Sequence, residues 1–360
     1  MIYEYWYANI QGISAREKCW LRDEFESAKS IYYIEETVLE QHGVSDKIRH
    51  KIMDHPSEKF LEADYFKAKE KGIQFVTLYD QNYPACLRDI SSPPYAIFYK
   101  GKLPEKSRKS IAIIGARECS QYGREMAAAY AKELAGHGIQ IISGMARGID
   151  SIGQWGAIEA GGESYAVLGC GVDICYPREH FKLYKRLEEQ GGILSEFPMG
   201  TEPLKSHFPA RNRIISGLSD IILVIEAKEK SGSLITADMA LEQGKDVYAL
   251  PGLATSKLSE GCHMLIKQGA GILISPKDLL LELGICSDAG SINLTENKIV
   301  LESEENIVYS CLNFQPSSPG YLSAVTKLPI RTIMDILVRL ELKGYVREVS
   351  KNNYVTIGRK

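Results

Sequence analysis

Apolar positions recur along this chain with different periods, and the changes of period divide it. Up to about Leu61, stretches such as Ile13–Phe25 and Ile34–Val44 space apolar residues three and four apart. Gly12 and Gly43 interrupt them, which predicts a set of short helices. Glu62–Gly72 predicts a further helix and Ile73–Leu78 a strand, and Pro93-Pro94 marks a turn before another short strand. From Ile111 the rhythm becomes one of short apolar runs: Ile111–Gly115, Ile139–Ser143, Ser164–Gly169, Gly192–Glu196, Ile221–Glu226, Val247–Pro251 and Gly271–Ser275. Segments of helix length, such as Gly123–Ala135 and Ser151–Ala160, separate them, and this alternation implies βαβ units: a parallel sheet with helices on both faces. Ser287–Asn297 is polar and without period, as a linker would be. Beyond it, Asn306–Phe314, Gly320–Lys327 and Ile330–Lys343 predict three helices, and Tyr345–Val349 with Asn353–Ile357 a hairpin, the order of a winged helix. The expected division is a helical module over 1–61, an α/β domain over 62–286, a linker over 287–303 and a winged-helix-like domain over 304–360.

Composition changes this picture little. The 360 residues are 44% hydrophobic and 25% charged, ordinary for a globular protein. The formal net charge is −3, so a site for a polyanion has to be a local patch. One such patch is the C-terminal module, with eight Lys/Arg and three Asp/Glu from Asn306 to Lys360; Arg331, Asp335 and Arg339 fall on one face of its third helix. None of the eight cysteines pair as CxxC, which argues against zinc. With no secretory signal at Met1–Glu4 and only short apolar runs, the expected place is the cytoplasm and no membrane is implied.

In a doubly wound sheet, ligands bind at the carboxyl ends of the strands. Here those ends open into Gly115-Ala116-Arg117, Ser143-Gly144-Met145-Ala146-Arg147-Gly148-Ile149-Asp150, Gly169-Cys170-Gly171 and Ser231-Gly232-Ser233. Glycine lets backbone N–H groups approach an anion, so a row of such turns suits an oligonucleotide as readily as a mononucleotide. No GxGxxG follows the first strand and no GxxxxGK[ST] occurs, which disfavours NAD and a P-loop. Asp150, Glu159, Glu196 and Glu226 are acids near strand ends. They suit acid–base pairs, but Asp150 also reads as a helix N-cap, and Glu196 or Glu226 as a partner of Arg211 or Arg213. Lys205-Ser206-His207-Phe208-Pro209-Ala210-Arg211-Asn212-Arg213 reads as a basic loop with three fixed positive charges and no acid. Its arginines suit phosphates, and Phe208 suits either a stacked base or the core.

These stretches resemble the DprA (Smf) family of DNA-processing proteins. The matching residues include Gly115-Ala116-Arg117, Ser143–Asp150, Ala166–Gly171 with Tyr176-Pro177, Ser195–Pro198, Phe208–Leu218, Ser231–Ala237, Pro251-Gly252 and Gly261-Cys262-His263. The resemblance runs from Tyr79 to Gly284. It implies an extended Rossmann-like parallel-sheet domain flanked by a small N-terminal helical (SAM/HhH-like) module and a C-terminal winged helix. It also implies single-stranded DNA binding with no catalysis and no cofactor. The implied partners are the recombinase RecA, loaded onto incoming strands in natural transformation, and single-strand-binding protein. Carried over residue by residue, the DNA-binding candidates are Arg117, Gly144, Arg147, Gly148, Lys205, Phe208, Arg211 and Arg213. A homodimer is implied, with His263, Met264, Leu265 and Ile266 as its candidate contact. Gln154 departs from the histidine, and Ala116 from the small hydroxyl residue, that the family often carries. The alternative is a phosphoribohydrolase-like nucleotide-processing enzyme on a related scaffold, but its PGGxGTxxE loop is not matched at Ser231–Ala237.

Overall fold

The structure is a computed structural model, and it describes residues 1–285, 303–312 and 316–356. The linker expected at 287–303 (Ser303 apart), with Cys286, Phe314 and Ile357, lies outside those residues. The chain divides into two compact units, residues 1–118 with 127–276, and residues 119–126 with 277–360.

The first unit opens with five short helices: α1 (Ile2–Asn9), α2 (Ala15–Glu24), α3 (Ala28–Tyr32), α4 (Glu36–Gln41) and α5 (Asp46–Met53). Ser14 starts α2 with a capping box, its hydroxyl accepting from the Glu17 N–H while the Glu17 carboxylate accepts from the Ser14 N–H. There follow α6 (Glu58–Glu70), β1 (Gln74–Thr77), β2 (Ala96–Gly101), β3 (Ser110–Ile114), α7 (Gln121–Gly136), β4 (Gln140–Ser143), α8 (Ile149–Glu159) and β5 (Ser164–Val167). Then come α9 (Phe181–Glu189), β6 (Gly191–Ser195), α10 (His207–Gly217), β7 (Ile221–Val224), α11 (Gly232–Glu242), β8 (Asp246–Ala249), α12 (Glu260–Lys267) and β9 (Gly271–Ile272), and then α13 (Pro276–Glu282), which past Pro276 is counted with the second unit.

The nine strands form one sheet in the order β1-β2-β6-β5-β4-β3-β7-β8-β9. From β6 to β9 every pairing is parallel; β1 and β2 add an antiparallel hairpin against β6. The parallel strands read as unbroken apolar runs because both faces are covered. Period-2 alternation then decides which core each residue joins. Phe75, Phe98, Ala166 and Ile193 face the N-terminal helices and α9, while Val76, Ile97, Val167 and Leu194 face α10, α11 and α12. Strand order reverses between β3 and β7, which opens a crevice at their carboxyl ends.

The N-terminal helices share the core of the first face. Tyr5 meets Phe75 and Phe98 edge-on, with ring centroids 5.7 and 6.3 Å apart, and Tyr7 meets Tyr95 at 5.2 Å. Lys18 is buried among them. Its Nζ donates to the Ala8 carbonyl oxygen at 2.8 Å and lies within 6 Å of the Tyr7 and Tyr95 ring centroids.

In the second unit, α14 (Ser303–Ser310), α15 (Pro319–Thr326) and α16 (Ile330–Leu342) precede the hairpin β10 (Val346–Ser350) and β11 (Asn353–Thr356). Val308, Leu322, Ile333, Ile336, Leu337, Leu340 and Val346 make its core. The Lys343 ammonium reaches back to the buried Glu305 carboxylate at 2.7 Å. Arg331, Asp335 and Arg339 lie on the exposed face of α16, as their spacing requires.

Burial pulls the Lys18 ammonium from the usual 10.5 down to about 7, partly offset by the Glu196 charge. The native state therefore holds this proton less tightly than the unfolded chain. The contribution of Lys18 to stability is present above about pH 10.5 and is lost as pH falls through about 7. Urea unfolding of the wild type and of Lys18→Met at about pH 6.5, 8 and 9.5 should show the difference in stability growing as pH falls. It should favour the methionine variant by a few kcal/mol at the lowest pH.

Candidate nucleic-acid interface

At the carboxyl edge of the sheet, the β3 turn, the β4 loop, the start of α10 and the segment after β7 enclose a cleft of about 750 Å³. Six cationic side chains line it (Arg117, Arg147, Lys205, Arg211, Lys228 and Lys230) against two carboxylates, Glu118 and Asp150. This is the local patch that the net charge of −3 demands.

The basic segment expected as a loop is largely helical: from His207 onward it is the first turns of α10. Pro209 is tolerated there because first-turn N–H groups have no intrahelical partner. Helical spacing then separates the side chains. Phe208 and Arg211 turn into the cleft, while Arg213 turns away and forms a two-pronged ion pair with Glu196, at 2.7 and 2.6 Å. His207 stacks on Phe197, with ring centroids 4.1 Å apart, and its Nδ1 lies 3.2 Å from the Gly169 carbonyl oxygen. Lys205, just ahead of the helix, is exposed.

Arg211 is only 5% exposed. Its Nη1 donates to the carbonyl oxygens of Gly144, at 3.0 Å, and of Val167; its Nε donates to the Asn212 side chain at 3.2 Å. Burial lowers its pKa to about 10, and the Asp150 charge opposes that. Asp150 is buried, and burial raises its pKa against the pull of Arg211 and of the Gly144 N–H, which donates to its carboxylate at 3.1 Å. Asp150 is thus not the N-cap of α8: Gly148 holds that position, and Asp150 lies inside the first turn. The expected acids do not converge: Asp150 faces Arg211, and Glu196 binds Arg213.

Gly144 and Gly148 do not line the cleft; they make room for what does. A Cβ on Gly144 would sit 2.7 Å from the Arg211 guanidinium. Gly148 has φ +77°, and a Cβ there would meet the Ala116 carbonyl oxygen at 2.2 Å. The β4 loop therefore presses directly on the β3 turn, with the Ile149 N–H donating to Ala116 at 3.2 Å. That contact fixes where Arg117 and Arg147 leave the backbone. Both are exposed. Arg147 pairs with Glu179, whose carboxyl is held below its usual range by the hydrogen bond from Arg147. Arg117 lies 5.9 Å from the Phe208 ring centroid, and Tyr176 flanks the same ring at 5.5 Å.

The structure thus brings Arg117, Arg147, Lys205, Phe208 and Arg211 to one cleft and places Arg213 outside it. Sequence reasoning missed Lys228 and Lys230. Their signal was their position, directly after a strand and before the Ser231-Gly232-Ser233 turn. On α12, none of whose residues lines the cleft, Leu265 is buried, His263 Nε2 lies 3.1 Å from the Gly252 carbonyl oxygen, Ile266 is half-buried, and Met264 is 41% exposed. Among the described residues no helix is long and apolar enough to cross a membrane.

Comparison with known proteins agrees with this architecture. The family model for DNA recombination-mediator protein A matches residues 74–284, and that for the DprA winged helix domain matches residues 295–350. The chain is 35% identical over 338 residues to Protein Smf of Escherichia coli (strain K12), covering 91% of this chain and 88% of that one. It is 41% identical over 227 residues to DNA processing protein DprA of Streptococcus pneumoniae, covering 62% and 80%. Among solved structures, DNA processing protein A of Streptococcus pneumoniae superposes with a TM-score of 0.60 at 32% identity, over 78% of this chain and 98% of that one. DNA processing protein A of Helicobacter pylori, solved for its unique single-stranded DNA binding mode, gives 0.53 at 29% identity, over 58% and 95%.

The burial of Arg211 and the exposure of Lys205 separate their roles. Arg211→Ala should cost roughly 3–5 kcal/mol in chemical unfolding, because Asp150 is left buried without the guanidinium that opposes its charge. Lys205→Ala should stay within about 0.5 kcal/mol of wild type.

Proposed function

The chain belongs to the DNA recombination-mediator protein A family, and from that premise we propose that its cleft binds single-stranded DNA without chemical turnover. One observation carries the reading: of the six cations in the cleft, Arg117, Lys205, Lys228 and Lys230 have no ion-pair or hydrogen-bond partner among the described residues. They surround an aromatic pair, the half-buried Phe208 and the exposed Tyr176. Charges left free beside rings suit a flexible polyanion whose bases can stack. In this reading Arg117 and Lys205 meet the backbone, Arg147 adds positive charge beside Tyr176, and Phe208 adds ring surface. Gly144 and Gly148 shape the loops, Arg211 carries charge to the cleft floor, and Arg213 holds α10 through Glu196. The winged unit, with the exposed face of α16, serves as a second contact for DNA or a protein partner.

The biological setting we propose is natural transformation. The protein covers incoming strands, helps displace single-strand-binding protein and loads the recombinase RecA. It acts as a cytoplasmic homodimer, with Met264 and its neighbours His263, Leu265 and Ile266 on α12 at the contact. The exposed Met264 supports that choice.

The test is fluorescence anisotropy with an oligo-dT strand. Lys205→Glu and Arg117→Glu should each weaken binding about tenfold or more and flatten its salt dependence. Wild-type affinity in both variants refutes the assignment of this cleft.

A further inference from the structure

The cleft has two unlike walls. On the β5 side, in the connection from β5 to α9, stands Tyr176. Phe208 is already engaged on its own account, with the Arg117 and Arg211 guanidiniums each 5.9 Å from its centroid. Tyr176 is the outer ring of the pair and 42% exposed, so it is the ring with a face to offer. On the β7 side the wall is made of amines. The chain emerges from the buried Ile225–Ala227 at Lys228, and Lys228 and Lys230 are both exposed and line the cleft, whereas Glu229 between them does not.

Two further observations fit this asymmetry. Strands β5, β4, β3 and β7 are successive neighbours, so the walls stand three strand spacings apart, roughly 14 Å. That is wide enough for a base and its phosphate to lie side by side. Between the walls, Arg211 spends Nη1 on two carbonyl oxygens and Nε on Asn212. Its Nη2 makes no hydrogen bond to a described residue, although the side chain is 95% buried and lines the cleft. This one nitrogen of an otherwise buried guanidinium opens to the cleft, where an anion can accept from it.

We propose that a single strand crosses the sheet edge in a fixed lateral orientation. Its bases face Tyr176 on the β5 side, and its sugar–phosphate backbone runs along Lys228 and Lys230 on the β7 side, over Arg211. This rests on the single-stranded DNA reading above and adds which wall takes which part of the nucleotide. It assigns Lys228 and Lys230 as backbone contacts and Tyr176 as the stacking ring.

The experiment is a salt titration of the full chain with oligo-dT and with a strand of abasic sites of equal length. Lys228→Ala combined with Lys230→Ala should lower the steepness of log K against log salt by about 1.4, two phosphate contacts at about 0.7 each, on both strands. Tyr176→Ala should weaken oligo-dT binding about tenfold with the slope unchanged and leave abasic binding at wild type. An unaltered slope in the lysine pair, or a Tyr176 effect that persists on the abasic strand, overturns the orientation. Lys205→Glu in the same series separates the two levels. If it loses binding while the orientation tests fail, only the orientation falls. If it binds as wild type, the cleft reading falls with it. The substituted side chains are exposed, so matching thermal melts confirm that the variants fold.

Discussion

A guanidinium that is 95% buried has to be matched wherever the protein encloses it, and Arg211 shows what that demands of its surroundings. Gly144 must lack a Cβ so that the side chain can pass. The β4 loop and the end of β5 must each present a carbonyl oxygen. Asp150 must be brought into the first turn of α8 to supply the opposing charge. Those requirements tie α10 to two strands and a second helix at one point. Once α10 is pinned there, helical geometry sets Phe208 one turn earlier beside Arg117, and Lys205 just ahead at the mouth of the cleft. The ligand-facing groups are positioned by a residue most of whose donors are already used.

The remaining charges sort by partner. Arg213 with Glu196, and Lys343 with Glu305, are closed pairs that hold elements together. Arg147 is intermediate, exposed and paired with an exposed Glu179, so that its partner competes with any arriving anion. Arg117, Lys205, Lys228 and Lys230 stay open. A protein with net charge −3 can present a polyanion site in this way because its acids are drawn to the arginines that have structural duties.

Much of the fold was legible from period alone. Each apolar run from Ile111 onward became a strand of the sheet, and the C-terminal helices and hairpin fell close to where the spacing put them. The antiparallel placement of β1 and β2 was not legible, since strand partners depend on contacts distant in sequence. At the site, charge and glycine spacing marked the right segments but not the division of labour. Arg211 and Arg213 are equivalent in composition, and only the helical turn between them sends one to the cleft floor and the other to Glu196. Asp150 looked like a cap because Gly-Ile-Asp before a helix is a capping context; the positive φ of Gly148 begins the helix earlier. Lys228 and Lys230 went unnoticed because two lysines around a glutamate read as a solvated surface until the sheet places them at its switch point.

The core shared by the N-terminal helices and the sheet has a consequence during synthesis. Tyr5, Trp6 and Tyr7 leave the ribosome well ahead of the strand surface that they help cover, which includes Phe98 and Ile193. At ordinary elongation rates the roughly 130 residues between Leu61 and β6 take on the order of ten seconds to appear. For that interval an aromatic face waits without its partner. The nascent chain therefore needs either a chaperone's cover or enough helix-to-helix packing of its own to stay out of trouble until the sheet arrives.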